Sequence, residues 1–312
     1  MSAEFKSVYI MGRAHNGSTV ADVLLGNAPG VESIGEITSG LNRGQAEKCS
    51  CGKTLAECEY WQAVSRLYRE KSGADLYEDG RRMWRMSDTR NFFSALFGDF
   101  ADAKSRWSGY ARTNRQILSA IAGHAGKNVI VDSNKEYTRA VCYLKSDPQA
   151  RVIHLLRRPV SVVGSYYYRI RDGRPLKFLK KEYQPKLTLF PALMMISFTW
   201  SIGMVLALIV KARFPDRVLH VSYEKLTENP RTELTRIGEF IGVDLSGVIE
   251  GIEQERVFPV GHNVGGNDQR HEGGYRFIRN TRGRRAMPAM YRFGANVLSF
   301  PGMVLRWAFV RA

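Results

Sequence analysis

The residues best suited to chemistry begin in one short stretch, Val8 to Leu25. Val8, Tyr9, Ile10 and Met11 form an apolar run of strand type, Gly12 to Thr19 has the chemistry of a loop, and Val20, Val23 and Leu24 return at helical spacing. A glycine loop between strand and helix presents backbone N–H groups at the helix N-terminus, where unpaired donors and the helix dipole favour an anion. Arg13, Ala14, His15, Asn16, Gly17, Ser18 and Thr19 are therefore expected to cradle an anionic group. Two later strand ends carry cations. Val129, Ile130 and Val131 read as a buried strand ending in Asp132, Ser133, Asn134 and Lys135, and Arg157 follows Val152 to Leu156, with Ser165 on the helix beyond. Ligands of open α/β sheets bind outside the carboxyl ends of the strands, where an arginine fork can grip an oxyanion. An ordinary surface Arg pair explains one such strand end but not three in a row.

The spacing of Gly12 and Gly17, followed by Ser18 and Thr19, reads G-x-x-x-x-G-S-T. This is a phosphate loop with serine where nucleoside triphosphatases place the lysine that holds the β and γ phosphates, so an ordinary ATPase is not expected. A structural turn is the plain alternative for such a loop taken alone. The 46 Lys and Arg outweigh 30 Asp and Glu by +16, which points to a nucleotide, a nucleic acid or an acidic membrane surface as partner. From Arg256 onward there are ten Arg, no Lys and two acids, Asp268 and Glu272, so half of the excess lies there. Arginine without lysine suits forked oxyanion recognition; a solvated basic tail is the plainer reading.

The elements that must position these groups are legible at low resolution. A chain of 312 residues accommodates one α/β domain with a helical insertion or two smaller units, and the first is expected: a single domain over 1–312. The insertion, residues 62 to about 128, is charged, free of Pro and rich in aromatics (Trp84, Phe92, Phe93, Phe97, Phe100, Trp107, Tyr110). This predicts helices with long connections, their aromatics serving as core rather than as an acceptor pocket. Residues 187–210 are 24 positions without a charge, long enough to span a bilayer. Pro191, Ser197, Thr199, Ser201 and Gly203 dilute the run, and a span would separate the anion loop from the later motifs. A buried helix is expected, with peripheral membrane contact through Phe300, Trp307 and Phe309 left open. Arg217 to Tyr223 reads as a strand, and a helix starting at Pro230 places Leu234, Ile237 and Ile241 on one face.

MSAEFK runs directly into the first strand, so no signal peptide is evident and a cytoplasmic protein is expected. Three of the four cysteines fall in Cys49-x-Cys51 and Cys58, with Cys142 far away in sequence. Structural zinc wants four ligands, and the fourth would have to be Cys142 or a histidine brought in by the fold. No metal site is assigned. Reduced thiols suit the compartment, with a disulfide as the competing reading.

Taken in order, five stretches resemble the sulfotransferase family that uses 3′-phosphoadenosine 5′-phosphosulfate (PAPS). GRAHNGST is similar to its 5′-phosphosulfate loop, and LLRRPVSVVGS to its 3′-phosphate motif with Arg157 and Ser165 in the matching places. VDSNK is similar to V-D-S-S-K, VSYEKLTENP to the Y-E-D-L segment, and HNVGGNDQR, with Asn267 and Arg270, to the H-x-x-x-G-N-x-x-R loop of the bacterial carbohydrate-type branch. CSCGKTLAECEYW is also similar to a stretch of some bacterial members, with no role assigned. Two positions depart from the pattern: His15 stands where the loop usually has Lys or Arg, and Asn134 replaces the second Ser of V-D-S-S-K.

The resemblance implies a P-loop-like α/β fold with a central parallel sheet flanked by helices. It implies PAPS as co-substrate, 3′-phosphoadenosine 5′-phosphate as product, and in-line transfer to a hydroxyl of a carbohydrate, lipid or small metabolite, with no metal required. Glu36 lies 21 residues after His15, the separation at which protein-tyrosine sulfotransferases place their catalytic glutamate, and is the candidate base. Lys135 and His15 are expected to stabilise the leaving phosphate, with His124 or His15 next in line as base. A solvated loop carboxylate is the bland reading of Glu36. A P-loop kinase and a non-catalytic nucleotide- or RNA-binding protein are the alternatives, the latter favoured by Tyr275, Phe277, Tyr291 and Phe293 among the arginines. No recognition signature accompanies those aromatics, so nucleic acid is not expected as a partner. The acceptor and the oligomeric state are not readable from the sequence.

Overall fold

Strands covered on both faces read as continuous apolar runs, and the first such run forms the middle of the sheet. The computed structural model describes residues 5–173, 189–266, 268–278 and 287–310. The order begins β1 (Lys6–Met11), α1 (Ser18–Gly26), β2 (Val31–Ser33) and α2 (Ile37–Arg43). Four helices follow: α3 (Glu59–Ser72), α4 (Leu76–Met86), α5 (Phe92–Phe97) and α6 (Arg106–Ala125). The sheet resumes with β3 (Val129–Lys135), α7 (Tyr137–Ser146), β4 (Arg151–Leu156), α8 (Pro159–Arg171), α9 (Leu189–Arg213) and β5 (Val218–Ser222). The remainder is α10 (Tyr223–Glu228), α11 (Pro230–Ile241), α12 (Ser246–Glu253), the short pair β6 (Val257–Phe258) and β7 (Tyr275–Arg276), and α13 (Ala289–Phe309).

The five-stranded sheet has the order β2-β3-β1-β4-β5, and every neighbouring pair is parallel. The chain passes from β1 to the β2 edge, returns to β3 and then crosses to β4 on the other side of β1, so the topological switch point lies at the carboxyl ends of β1 and β4. Alternation along β1 divides the core. Tyr9 and Met11 pack with α3 to α7, whereas Val8 and Ile10 pack with α1, α11 and α12.

Under the site, β3 ends in polar residues, Asp132 to Lys135, as expected. Asp132 is fully buried against Arg139, whose Nε donates at 2.8 Å. Arg139 also donates to Tyr110 Oη at 2.6 Å and Asn114 Oδ1 at 2.9 Å, and Tyr143 Oη donates to Asp132 at 2.8 Å. A buried charge persists only when paired and hydrogen-bonded, and this network ties α6 and α7 to the strand that ends in Lys135.

The insertion is helical as predicted, but not all of its connections are long: α3 and α4 are joined by Gly73 to Asp75, and Asp75 caps α4 by accepting from the Tyr77 and Glu78 amides. Phe92, Trp107 and Tyr110 are core, while Phe93 and Phe97 are exposed. The apolar run forms α9 as expected, yet the helix is only half buried. Leu193, Ile196, Trp200 and Met204 face inward, and Phe198, Ile202 and Val205 face solvent. α9 lies against α13 through small residues: Ser201 Oγ donates to the Leu298 carbonyl and Ser299 Oγ to that of Ser197, with Gly302 against Trp200.

Candidate active site

Glycine is required in the loop for steric reasons. A Cβ on Gly12, at φ 154°, would lie 2.7 Å from the Leu155 carbonyl oxygen, and one on Gly17, at φ 96°, would lie 2.1 Å from the Tyr223 ring. Asn16, inside the loop, donates to the Leu155 carbonyl at 2.9 Å and accepts from the Ser18 amide at 3.0 Å. The loop is thereby held to the end of β4 while α1 starts at Ser18, its positive end turned toward the loop. Thr19 lies in that first turn, and Ala14 is exposed at the loop tip.

Three of the expected anion ligands meet here. Arg157 Nη1 donates to the His15 carbonyl at 2.8 Å and its guanidinium lies 4.7 Å from the Tyr223 ring centroid. Ser165 Oγ is 3.1 Å from His15 Nδ1. His15 has a left-handed backbone, φ 63°, and its ring stands edge-on to Tyr166 at 4.4 Å. A non-glycine residue at positive φ is uncommon and concentrates at functional sites. Arg13 turns to α9, donating to Thr199 Oγ1 at 2.8 Å. Arg13, Asn16, Tyr137, Arg157 and Trp200 line a small cleft behind the loop.

At the end of β3, Lys135 is also left-handed, φ 82°, and its Nζ forms an ion pair with Glu36 Oε1. Glu36 caps α2, its amide donating to the Val264 carbonyl at 2.7 Å while its own carbonyl accepts from Gly40 at 2.9 Å. Asn134 supports the same turn by accepting from the Thr38 amide at 2.9 Å. That gives the substituted residue a structural task. Asn263 braces the other side, donating to Asp22 Oδ2 at 2.5 Å and Ser33 Oγ at 3.1 Å. Asp22 is buried, and loss of water pushes its carboxyl up to about 7.

Glu136 was not visible as a site residue in the sequence beyond its place next to Lys135. Burial first, and the neighbouring Glu36 second, push its carboxyl up to about 8, a value suited to holding a proton near neutrality. Arg270 is directed elsewhere than expected. It is buried and donates to Glu47 Oε1 at 2.9 Å and the Lys48 carbonyl at 3.2 Å, while its Nε and Nη1 have no partner among the described residues. Asn267 lies outside the described residues. His124 packs edge-on against Tyr60, with ring centroids 4.9 Å apart.

Strand order, glycine loop and flanking helices define an α/β protein of the P-loop type. The chain belongs to the sulfotransferase family, whose sequence model matches residues 7–247, and it is accordingly a transferase. Sulfotransferase STF9 from Mycobacterium avium shares the fold with a TM-score of 0.52 at 15% identity, over 99% of this chain and 76% of that one. The sulfotransferase domain of the Synechococcus PCC 7002 olefin synthase aligns with a TM-score of 0.49 at 17% identity, over 100% and 97%. A sulfotransferase from Alicyclobacillus acidocaldarius gives 0.48 at 13%, over 98% and 96%. No curated protein matches the sequence.

Proposed function

We propose that this sulfotransferase takes the sulfuryl group from PAPS and transfers it to an acceptor hydroxyl. The observation that carries the reading is the Lys135–Glu36 pair, a cation and a carboxylate side by side at the carboxyl end of β3, next to the phosphate-type loop that follows β1. Glu36 removes the acceptor proton, the acceptor oxygen attacks sulfur in line, and the bond from sulfur to the bridging phosphate oxygen breaks. Lys135 and His15 stabilise the charge left on that phosphate, and Arg157 and Ser165 take the 3′-phosphate. The loop's Ser18, where a kinase needs lysine, weighs against an ATP-dependent enzyme. A screen of carbohydrate, lipid and small-metabolite hydroxyls with labelled PAPS tests the reading directly; transfer of label from ATP instead would overturn it.

The acceptor is met at an acidic membrane surface. α13 exposes Phe293, Val297, Phe300, Val304 and Trp307 at alternating spacings of four and three, and α9 beside it exposes Phe198, Ile202 and Val205. Such a stripe on a strongly basic chain matches the apolar and electrostatic terms that hold a peripheral protein to an anionic bilayer.

A further inference from the structure

The fold supplies the fourth partner that the cysteine motif lacked. Cys49, Cys51, Cys58 and His262 converge, with all four ligand atoms within 4.8 Å of one another. Cys51 Sγ is 3.7 Å from Cys58 Sγ, and His262 Nδ1 is 3.6 Å from Cys49 Sγ and 3.3 Å from Cys58 Sγ. A zinc ion bound at about 2.3 Å to sulfur and about 2.0–2.1 Å to nitrogen spaces tetrahedral ligands about 3.8 Å apart for S···S and about 3.5 Å for S···N. The three contacts above stand near those separations, and no pair of ligand atoms is farther apart than 4.8 Å. A disulfide would need sulfurs at about 2.05 Å, and all the thiols are free. Cys142, on α7, is not among the four.

The backbone around the cluster is built to present it. Gly52, at φ 89°, turns the chain so that its amide donates to the Cys49 carbonyl at 3.0 Å, and the Cys49 amide donates to the Lys53 carbonyl at 2.9 Å. Cys58 sits at the N-cap of α3, which fixes its position relative to Trp61 on the first turn. His262 is clasped from several directions. Trp61 Nε1 donates to its carbonyl at 2.9 Å, Tyr60 stacks on its ring at 4.7 Å, and Ser50 bonds to Gly261 and Asn263 on either side of it.

We propose that these four residues bind one structural zinc ion. Three sulfurs and one nitrogen select zinc over hard cations, and four protein ligands close the coordination shell, so the ion is not a catalyst. Its effect on the active site is positional. The ion joins residues 49–58 to His262, and the two residues that follow are Asn263, which braces Asp22 and Ser33, and Val264, which accepts from the Glu36 amide. Arg270 returns to Glu47 and Lys48 in the same neighbourhood. Zinc therefore fastens the start of the glycine-rich loop beside Glu36, whatever donor the enzyme uses.

The test is elemental analysis of the full chain expressed in zinc-replete medium and purified under reductant. We expect about one zinc per chain, near zero in Cys51→Ser and His262→Ala, and an unchanged content in Cys142→Ala. Because a ligand variant can lose the ion by misfolding, the wild type is also reconstituted with cobalt alone. Thiolate-to-cobalt charge transfer with strong tetrahedral visible bands is the expected spectrum. Stripping the ion should speed hydrogen exchange at the Glu36 and Ser50 amides, which donate to Val264 and Asn263. Zinc-free protein that fails to take up offered zinc or cobalt, or zinc retained in full by both ligand variants, overturns the proposal.

Discussion

Lys135 and Glu36, 99 positions apart in sequence, meet as an ion pair between the end of β3 and the N-cap of α2. The carboxylate proposed to take the acceptor proton is thus held by the cation proposed to steady the leaving phosphate. On that proposal, a donor phosphate that draws Lys135 away would free Glu36 to act as base, so donor binding would prepare the base.

Glu36→Gln should keep donor binding, or tighten it because Lys135 is no longer paired, while turnover falls by about 10²–10⁴-fold, the usual contribution of a general base. Lys135→Ala should lose turnover and some donor affinity together, because a cation on the phosphate acts in both the ground and transition states. Calorimetry with 3′-phosphoadenosine 5′-phosphate alongside single-turnover kinetics separates the two. Near-normal turnover by Glu36→Gln at saturating substrates would place the base elsewhere, with Glu136 the next residue to change.

Arg157 touches the His15 carbonyl while His15 Nδ1 lies beside Ser165. Arg157→Ala should weaken binding of the 3′-phosphorylated product by roughly 1.5–3 kcal/mol, the worth of a charge-assisted contact, and leave ADP binding nearly unchanged. His15→Arg should be tolerated better than His15→Ala, since it restores a permanent cation at the loop. Equal affinity of the wild type for ADP and the 3′-phosphorylated nucleotide would reject the donor assignment.

Asp22 gives a signature in stability. Its carboxyl is raised to about 7 by burial, so the folded chain keeps a proton that the unfolded chain releases near pH 4. Wild-type stability from this group is therefore lost as pH rises from about 4 to about 7, by at most about 1.4 kcal/mol per pH unit. Asp22→Asn lacks that loss, so its melting temperature relative to the wild type should climb across this window and level off above it. A constant difference would mean that the buried carboxyl is not protonated.

Arg139 offers the largest purely structural effect. Arg139→Met leaves Asp132 charged and unpaired in the core, and chemical denaturation should show a loss of about 3–5 kcal/mol. Adding Asp132→Asn removes the orphaned charge and should recover much of that loss. Equal destabilisation of the single and double variants would show that packing, not charge, dominates.

The exposed stripe predicts flotation with vesicles containing anionic lipid and little association with neutral ones. Trp307→Glu together with Phe300→Glu should abolish it, without altering turnover on a soluble acceptor. Binding that is indifferent to lipid charge and unaffected by these changes would remove the membrane from the picture.

Local order was legible in the sequence because local chemistry sets it. Apolar runs marked β1, β4 and β5, Pro230 marked the start of α11, and Gly12 and Gly17 announced a loop that no side chain can occupy. The polar end of β3 was legible as well, but not the partner that buries Asp132, which arrives seven residues later on a helix. The same reasoning placed α9 wholly inside, because an uncharged run says nothing about which of its faces will be covered.

What the sequence determined by itself was the set of groups available: a glycine cradle, cations at strand ends, a carboxylate after the first helix, and thiols in close spacing. Only the tertiary structure decided their partners. Parallel pairing requires crossovers that carry the chain from one strand end to another, so Glu36 meets Lys135, Arg270 meets Glu47 and His262 completes the cysteine cluster across 99, 223 and more than 200 positions. Such meetings depend on sheet order and register, and no spacing along the chain encodes them.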